Sequence, residues 1–444
     1  MNFYFWAIVI YLGQCKMRIQ LIHPPHPDAI EDRLDAPLGL LYIASTLRKA
    51  GHDVAVTDLS GVNKEDWIIP EVDIYGISTY VATVEIAEEI AMLCRLKNPK
   101  AIIVAGGAHI TGALESGNKE LLPHGFDSLI SGSGELAMLE LIEDYPNIKP
   151  LYEQDLSRDL DIYPNPAYDL VDLKSYKRRI GGRRSISMLT SRGCPFRCAF
   201  CGLSKQHKRI KLRSPEAVAD EMQLIMVKYG IKAFNFQDDT FMLDRDRMYR
   251  LLDLIEPLKI YFRCHGRVGI NIKEDYVRLK KAGCRIIGWG IESGSQDVLD
   301  RMNKGITVEQ NIQAIRWAQE AGITDRAFII AGFPGETKAT LEETKRFIDE
   351  ANPSQLFVST FQPYPGTDVW KHPSEYGITS MSKDFSKYLQ VKGHGEGGGI
   401  NFDTEWMRRE EMDKAIDEFR LWVSARGQRG PVQGYEKKLK VRNE

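Results

Sequence analysis

The stretch Thr190–Gly202, TSRGCPFRCAFCG, places three of the chain's seven cysteines, Cys194, Cys198 and Cys201, in one short loop. Their C-x3-C-x2-C spacing can aim three sulfurs at one centre. A structural zinc takes four ligands, and a [4Fe–4S] cluster usually takes four thiolates. The other cysteines, Cys15, Cys94, Cys264 and Cys284, are single and distant. Three thiolates leave one iron open, and an open metal position is where chemistry happens. Two plainer readings stand beside this one: buried core thiols, or a zinc site completed by Cys264 or His207.

Outward from the loop, a strand–helix series predicts the fold. ISMLT (186–190) runs directly into the cysteines. FNFQDD (234–239), IYFRCHGRV (260–268), RIIGWGIES (285–293), RAFIIAGFP (326–334) and LFVSTFQPYP (356–365) follow, with helical spacers between them. Six such strands predict a partial (β/α)6 barrel over 185–370, with its active site at the C-terminal strand ends. The cysteines lie at the first of those ends.

Upstream, residues 17–145 alternate in the same way. RIQLI (18–22), DVAVTDL (53–59), DIYGIST (73–79), AIIVAGGAH (101–109) and FDSLISGSGE (126–135) are short apolar strands. LGLLYIASTLRKAG (38–51) is an amphipathic helix closed by Gly51. The pattern predicts an α/β, doubly wound (Rossmann-like) domain on a parallel sheet. Ligands of such sheets sit outside the carboxyl ends of the strands. Those ends carry His23-Pro24-Pro25, Ser78-Thr79, Gly106-Gly107 and Gly132-Ser133-Gly134-Glu135. Small residues there let backbone approach a ligand, although turn punctuation explains the glycines equally well.

Residues 146–184, Pro-rich and irregular, read as a linker, and 371–444 as a small C-terminal helical segment. Within the latter, 393–399 reads as a flexible loop, TEWMRREEMDKAIDEFRLWV (404–423) as one amphipathic helix, and the basic end as frayed. The apolar residues 1–16 are shorter than the ~20 needed to span a bilayer. They also lack the basic region and cleavage site of a signal peptide. MRIQLIHPP from Met17 reads as the natural first strand, so 1–16 is expected to be an upstream-start artefact, with a short membrane-touching helix as the alternative.

The whole chain has 444 residues, 43% hydrophobic and 27% charged, with a formal net charge of −2. That size calls for two or three domains. The near-neutral balance gives no electrostatic reason for a nucleic-acid or anionic-membrane partner. Scattered cysteines in odd number fit a reducing compartment, so a cytoplasmic location without a membrane span is expected.

The C-x3-C-x2-C motif, with aromatic Phe200 before its last cysteine and a preceding βα strand, resembles the radical S-adenosylmethionine superfamily. The resemblance implies a [4Fe–4S] cluster on Cys194, Cys198 and Cys201 whose open iron chelates the amino and carboxylate groups of S-adenosylmethionine. One-electron cleavage then gives methionine and a 5′-deoxyadenosyl radical. It also assigns ligand-binding roles to strand ends. Gln237, Asp238 and Asp239 stand where the methionine amino group is bound, though Asp-Asp serves as readily as a helix N-cap. Glu292 and Ser293 stand where the ribose hydroxyls are bound, which suits a carboxylate facing a diol. Arg267 could meet the ligand's carboxylate, or form a surface salt bridge. Gly332, in GFPGE (332–336), stands near adenine, or marks a βα turn with Glu336 near a helix N-terminus.

The order of domains, with the phrases IHPP, PLGLLYIAS, GGAH and SGSGE, is similar to the cobalamin (B12)-binding-domain branch of that superfamily. The likeness runs from Met17 to about Trp370. It implies cobalamin at Ser78, Thr79, Gly106, Gly107, His109, Gly132, Gly134 and Glu135. Asp-x-His-x-x-Gly, whose histidine ligates cobalt from below, is absent. His109 is the nearest candidate by position, and a contact with the nucleotide tail or a turn cap is the expectation for it.

The resemblance thus implies a methyltransferase acting on an unactivated carbon, or on phosphorus, of a small-molecule substrate, fed by an electron donor such as flavodoxin or ferredoxin. A rearrangement or cyclisation with the same cofactors is the alternative enzyme reading. A non-catalytic cobalamin or redox sensor is the alternative from another class, against which the complete triad and Glu292 argue. Extra N-terminal cysteines for a second cluster, which transfer-RNA methylthiolation would need, are missing.

Overall fold

The computed structural model describes residues 16–27, 29, 31–154, 159–202, 209–382, 384, 388 and 399–426. Expectations for Cys15, His207, the first fifteen residues, most of the 393–399 loop and the basic end lie outside them. The chain divides into two compact units, 1–177 and 178–444. Among the described residues no helix is long and apolar enough to cross a membrane.

The first unit holds a six-stranded parallel sheet. Its strands are β1 (Arg18–His23), β2 (Asp53–Asp58), β3 (Ile74–Ser78), β4 (Ile102–Gly106), β5 (Ser128–Gly132) and β6 (Leu151–Gln154). Their spatial order is β2-β1-β3-β4-β5-β6. Four helices connect them: α1 (Leu38–Lys49), α2 (Val84–Lys97), α3 (Ala108–Glu115) and α4 (Gly134–Glu143). The sheet is wound on both faces because its strands are apolar on both. Ile19 and Leu21 pack with Leu40, Ala44 and Leu47 of α1 and with Met138 and Leu141 of α4. Ile22, Tyr75 and Ile77 pack on the other face with Ala87, Ile90, Ala91 and Cys94 of α2. The chain order reverses between β1 and β3, and this crevice is where such sheets take ligands. The stretch read as linker contributes β6, parallel to β5. LYEQ is four residues long and half polar, too short for a period-2 pattern to stand out.

The second unit is built on six parallel strands in sequential order, so the (β/α)6 expectation holds. They are β7 (Ile186–Met188), β8 (Ala233–Phe236), β9 (Tyr261–Gly266), β10 (Cys284–Glu292), β11 (Thr324–Ala331) and β12 (Gln355–Thr360). The connecting helices are α5 (Pro215–Tyr229), α6 (Arg245–Ile255), α7 (Lys273–Lys281), the short α8 (Gln296–Arg301), α9 (Val308–Glu320) and α10 (Lys338–Ala351). Ordinary local rules bound α5: the Ser214 hydroxyl accepts from Ala217 N, Pro215 opens the first turn, and Gly230 closes the helix at φ 67°. After the one-turn α11 (Asp368–Lys371), a two-stranded ribbon joins β13 (Ile378–Met381) to β14 (Phe402–Thr404). The final helix, α12 (Arg409–Ala425), starts five residues later than the pattern predicts. Thr404 is held in the ribbon, and its hydroxyl accepts from Met407 N in a turn.

Candidate active site

Three of the six described cysteines are plainly buried, one alone and two on neighbouring strands. Cys94 is buried in the core, and burial pushes its thiol up to about 12. Cys264 and Cys284 are buried on neighbouring strands β9 and β10. Cys194, Cys198 and Cys201 differ: all three are outside any disulfide and partly exposed. The core-thiol reading therefore fits the scattered cysteines and not the triad. Among the described residues no three His, Cys, Asp or Glu side chains crowd closely enough for a single metal ion. A cubane cluster asks for less crowding, since each thiolate ligates a different iron. Three partly exposed thiols on one loop, beside the Arg267 guanidinium, are a donor set that fits it.

The loop is clamped at its base and along its length. Ser191–Arg192 pairs antiparallel with Lys211–Leu212, which closes the loop on itself. Arg247 of α6 reaches the Thr190 carbonyl at 2.7 Å. Asp238, just beyond β8, accepts from Thr190 N at 2.7 Å, Thr190 Oγ1 at 2.5 Å and Ser191 Oγ at 2.6 Å. It is fully buried, and burial pushes its carboxyl above the ordinary range against the pull of these bonds. Asp239 accepts from Gly193 N at 2.9 Å. The two aspartates thus tie the end of β8 to the start of the cysteine loop. Neither caps α6, whose cap is Asp244 accepting from Arg247 N. Gln237 is exposed, with its amide on Ser187 Oγ at 3.2 Å.

A bend after α8 embraces the other side. Met302 O accepts from Ala199 N at 2.8 Å, and the Asn303 amide donates to Arg197 O at 2.9 Å. Lys304 then turns inward, only 6% exposed. Its Nζ meets Glu292 Oε1 at 2.7 Å and lies 5.5 Å from the Phe200 ring centre. Glu292 has a left-handed backbone, φ 67°, at a register shift in the β10–β11 ladder between Gly290 and Glu292. A Cβ on Gly290 would lie 2.5 Å from Glu292 Oε1 and 2.8 Å from Lys304 Nζ, so the missing side chain makes room for the pair. Lys304 was not legible beforehand. Its only signal was an isolated lysine between two residues suited to positive φ, Asn303 and Gly305.

Arg267, expected at a ligand carboxylate or on the surface, is 8% exposed. Its Nη1 is 3.4 Å from Cys198 Sγ, its Nη2 donates to the Lys304 carbonyl, and its guanidinium lies 3.7 Å from the Phe196 ring centre. Ser293 is buried, its hydroxyl accepting from Ser295 N at 3.1 Å and lying 3.3 Å from Thr344 Oγ1. Gly332, at φ 86°, packs so closely on Ile400 and Ile416 that a Cβ would stand 2.5 Å from Ile400 Cδ1. Its N–H donates to the buried Glu336 carboxyl, which burial pushes up to about 8.

At the sheet edge of the first unit, His23 and Ser78 close the ends of β1 and β3 on each other, Nδ1 to Oγ at 3.0 Å. Burial lowers the pKa of His23, so it stands there as a neutral ring. Thr79 is buried, with N and Oγ1 both on the Gly106 carbonyl. Gly107, at φ 116°, begins α3 with a Cβ position 2.5 Å from Thr79 O, so only glycine fits. Gly106, Gly107, Gly132 and Gly134 leave backbone accessible along the edge. Ser133 donates to the buried Glu135 at 2.5 Å. His109 is buried, with Nε2 2.7 Å from the Leu121 carbonyl, where it ties α3 to the following turn. The glycines stand at the ends of β4 and β5, on the β3 side of the chain reversal, and such an edge fits a large planar ligand approached by backbone.

A thiol triad at the mouth of a parallel βα barrel, preceded in the chain by a doubly wound domain with a glycine-lined edge, is the arrangement that a cluster-bearing enzyme with a second, large cofactor calls for. Family models agree: "Radical SAM superfamily" matches residues 188–348 and "B12 binding domain" matches 36–142. An uncharacterized methyltransferase of Pyrococcus horikoshii is 31% identical over 84% of this chain and 87% of its own. An anaerobic magnesium-protoporphyrin IX monomethyl ester cyclase of Cereibacter sphaeroides is 28% identical over 84% of this chain and 66% of its own. The fold is similar to that of the radical S-adenosylmethionine methyltransferase TsrM from Kitasatospora setae, solved with cobalamin and a [4Fe–4S] cluster. That match has a TM-score of 0.65 and 18% identity over 90% of this chain and 85% of the other. The chain belongs to the radical SAM superfamily, in its B12-binding-domain branch. Its cofactors are a [4Fe–4S] cluster, S-adenosylmethionine and cobalamin.

Proposed function

We propose that this enzyme methylates an unactivated carbon, or phosphorus, of a small molecule, and that Cys194, Cys198 and Cys201 hold its cluster. The observation that carries the reading is one chain with both edges: partly exposed thiols at a barrel mouth, and a glycine-lined edge on a doubly wound sheet. When bound, the cluster supplies one-electron cleavage of S-adenosylmethionine, and cobalamin supplies a transferable methyl group. The chain's own residues orient these groups. Gln237 and Asp239, exposed beside the loop, face the methionine amino group, while Asp238 acts behind them by holding the loop in place. Glu292 accepts from the ribose hydroxyls, fixed in aim by Lys304. The backbone at Gly332 borders adenine under the cover of Ile400 and Ile416. Ser293, beside Glu292, supports the ribose-facing strand end; Ser78, Gly106, Gly107, Gly132 and Gly134 border cobalamin, with Thr79, His109 and Glu135 supporting that edge from within. The electron comes from a donor of the flavodoxin or ferredoxin class in a reducing cytoplasm.

Supplying reductant and methyl-deuterated S-adenosylmethionine to the reconstituted protein tests the reading. Deoxyadenosine together with a product bearing the deuterated methyl is expected. Deoxyadenosine without methylated product would favour the cyclisation that the 28%-identical cyclase relative keeps open. Bound cob(II)alamin is expected to show no nitrogen splitting in its electron paramagnetic resonance lines, because His109 is buried on Leu121 O. Failure to retain cobalamin would defeat the methyltransferase reading.

A further inference from the structure

We propose that Arg267 sets the reduction potential of the cluster by donating a charged hydrogen bond to the Cys198 sulfur. This rests on the reading that Cys198 is a cluster ligand. Three contacts hold the guanidinium in place: Nη1 to Cys198 Sγ at 3.4 Å, Nη2 to the Lys304 carbonyl, and the stack on Phe196 at 3.7 Å. Among the described residues no carboxylate pairs with it, so its charge is compensated by nothing but the thiolate it faces. The neighbouring cation, Lys304, is cancelled by Glu292 at 2.7 Å. The contrast with Cys194 is direct. Its sulfur lies 3.6 Å from Thr240 Oγ1, a neutral hydroxyl that donates to the Asp239 carbonyl at 2.8 Å.

Reduction adds one negative charge to the cluster. A fixed positive charge and an N–H on a ligating sulfur, shielded from water, stabilise that charge and raise the potential. An Arg267 spent in this way is a positioning and tuning residue, its Nη1 and Nη2 turned to the loop and the bend rather than to a ligand carboxylate.

Electrode-poised titration of anaerobically reconstituted protein, without S-adenosylmethionine, reads this directly through cluster absorbance and paramagnetic resonance. At the poise where half the wild-type cluster is reduced, Arg267→Met is expected to lower the reduced-to-oxidised ratio about tenfold, a one-electron shift of about 59 mV. Should the Met variant take up no iron, Arg267→Gln, which keeps a donor amide without the charge, must shift in the same direction. Equal potentials at equal iron content overturn the proposal. Equal potentials with weakened S-adenosylmethionine binding would overturn it in favour of a carboxylate contact. Wild-type protein that assembles no cluster defeats the functional reading as well, so the two failures are told apart.

Discussion

The two parallel sheets end in contrasting ways. The carboxyl edge of the first is lined with glycine, serine and threonine, and its two histidines are occupied within the unit. The carboxyl edge of the second carries Cys194, Cys198 and Cys201 with Asp238, Asp239, Arg267, Glu292 and Lys304. One edge offers shape and backbone donors; the other offers placed charges and soft ligands. The first suits a large preformed cofactor, whose chemistry is its own. The second suits a small zwitterionic ligand beside a metal cluster, where each charged group must be aimed.

The largest expected effect separates the edges outright. Changing Cys194, Cys198 and Cys201 to alanine should abolish cluster iron and deoxyadenosine formation while cobalamin content stays whole. Cobalamin loss in that variant would break the division of labour. Gly107→Ala is the reciprocal case: a Cβ 2.5 Å from Thr79 O at φ 116° forces the edge apart. Cobalamin retention should fall by about tenfold or more, the equivalent of about 1.4 kcal/mol, with iron per chain unchanged.

Gly290→Ala probes aim alone. The added methyl must displace the Glu292–Lys304 pair, so equilibrium binding of S-adenosylmethionine should weaken about tenfold, again about 1.4 kcal/mol, with the melting temperature little altered. Unchanged affinity would remove Glu292 from the ligand site. The smallest effect concerns Glu336, whose carboxyl stays protonated in the fold up to about pH 8, well above its ordinary value of 4.5. Between those values the folded chain binds more protons than the unfolded one, so stability falls as pH rises through this window. Glu336→Gln should flatten that fall, by a few degrees in melting temperature of the apo protein between pH 5 and pH 8. Parallel curves for the two proteins would show that the carboxyl ionises freely in the fold.

The strands were legible because the first sheet is covered on both faces, which leaves continuous apolar runs such as IIVAG, and because later barrel strands such as LFVST alternate with period two. The triad was legible because three ligands from one loop must be close in sequence. Lys304 was not, because it meets Glu292 from a bend twelve residues later, outside any helical or strand period. Arg267 and Asp238 were found as residues but not in their contacts. A sequence shows that a charged group stands at a strand end, not whether it faces outward or back onto the neighbouring loop.

The register shift at the end of β10 leaves Ile291 as the extra residue, since Gly290 is opposite Phe328 and Glu292 opposite Ile329. A chain shortened by that one residue could run its ladder without interruption and give up the left-handed backbone at Glu292, which costs of the order of 1–3 kcal/mol. It would also turn the carboxylate away from Lys304. Selection for robustness and selection for turnover therefore pull in opposite directions on a single codon, and a stabilised, idealised version of this barrel is the one expected to fall silent.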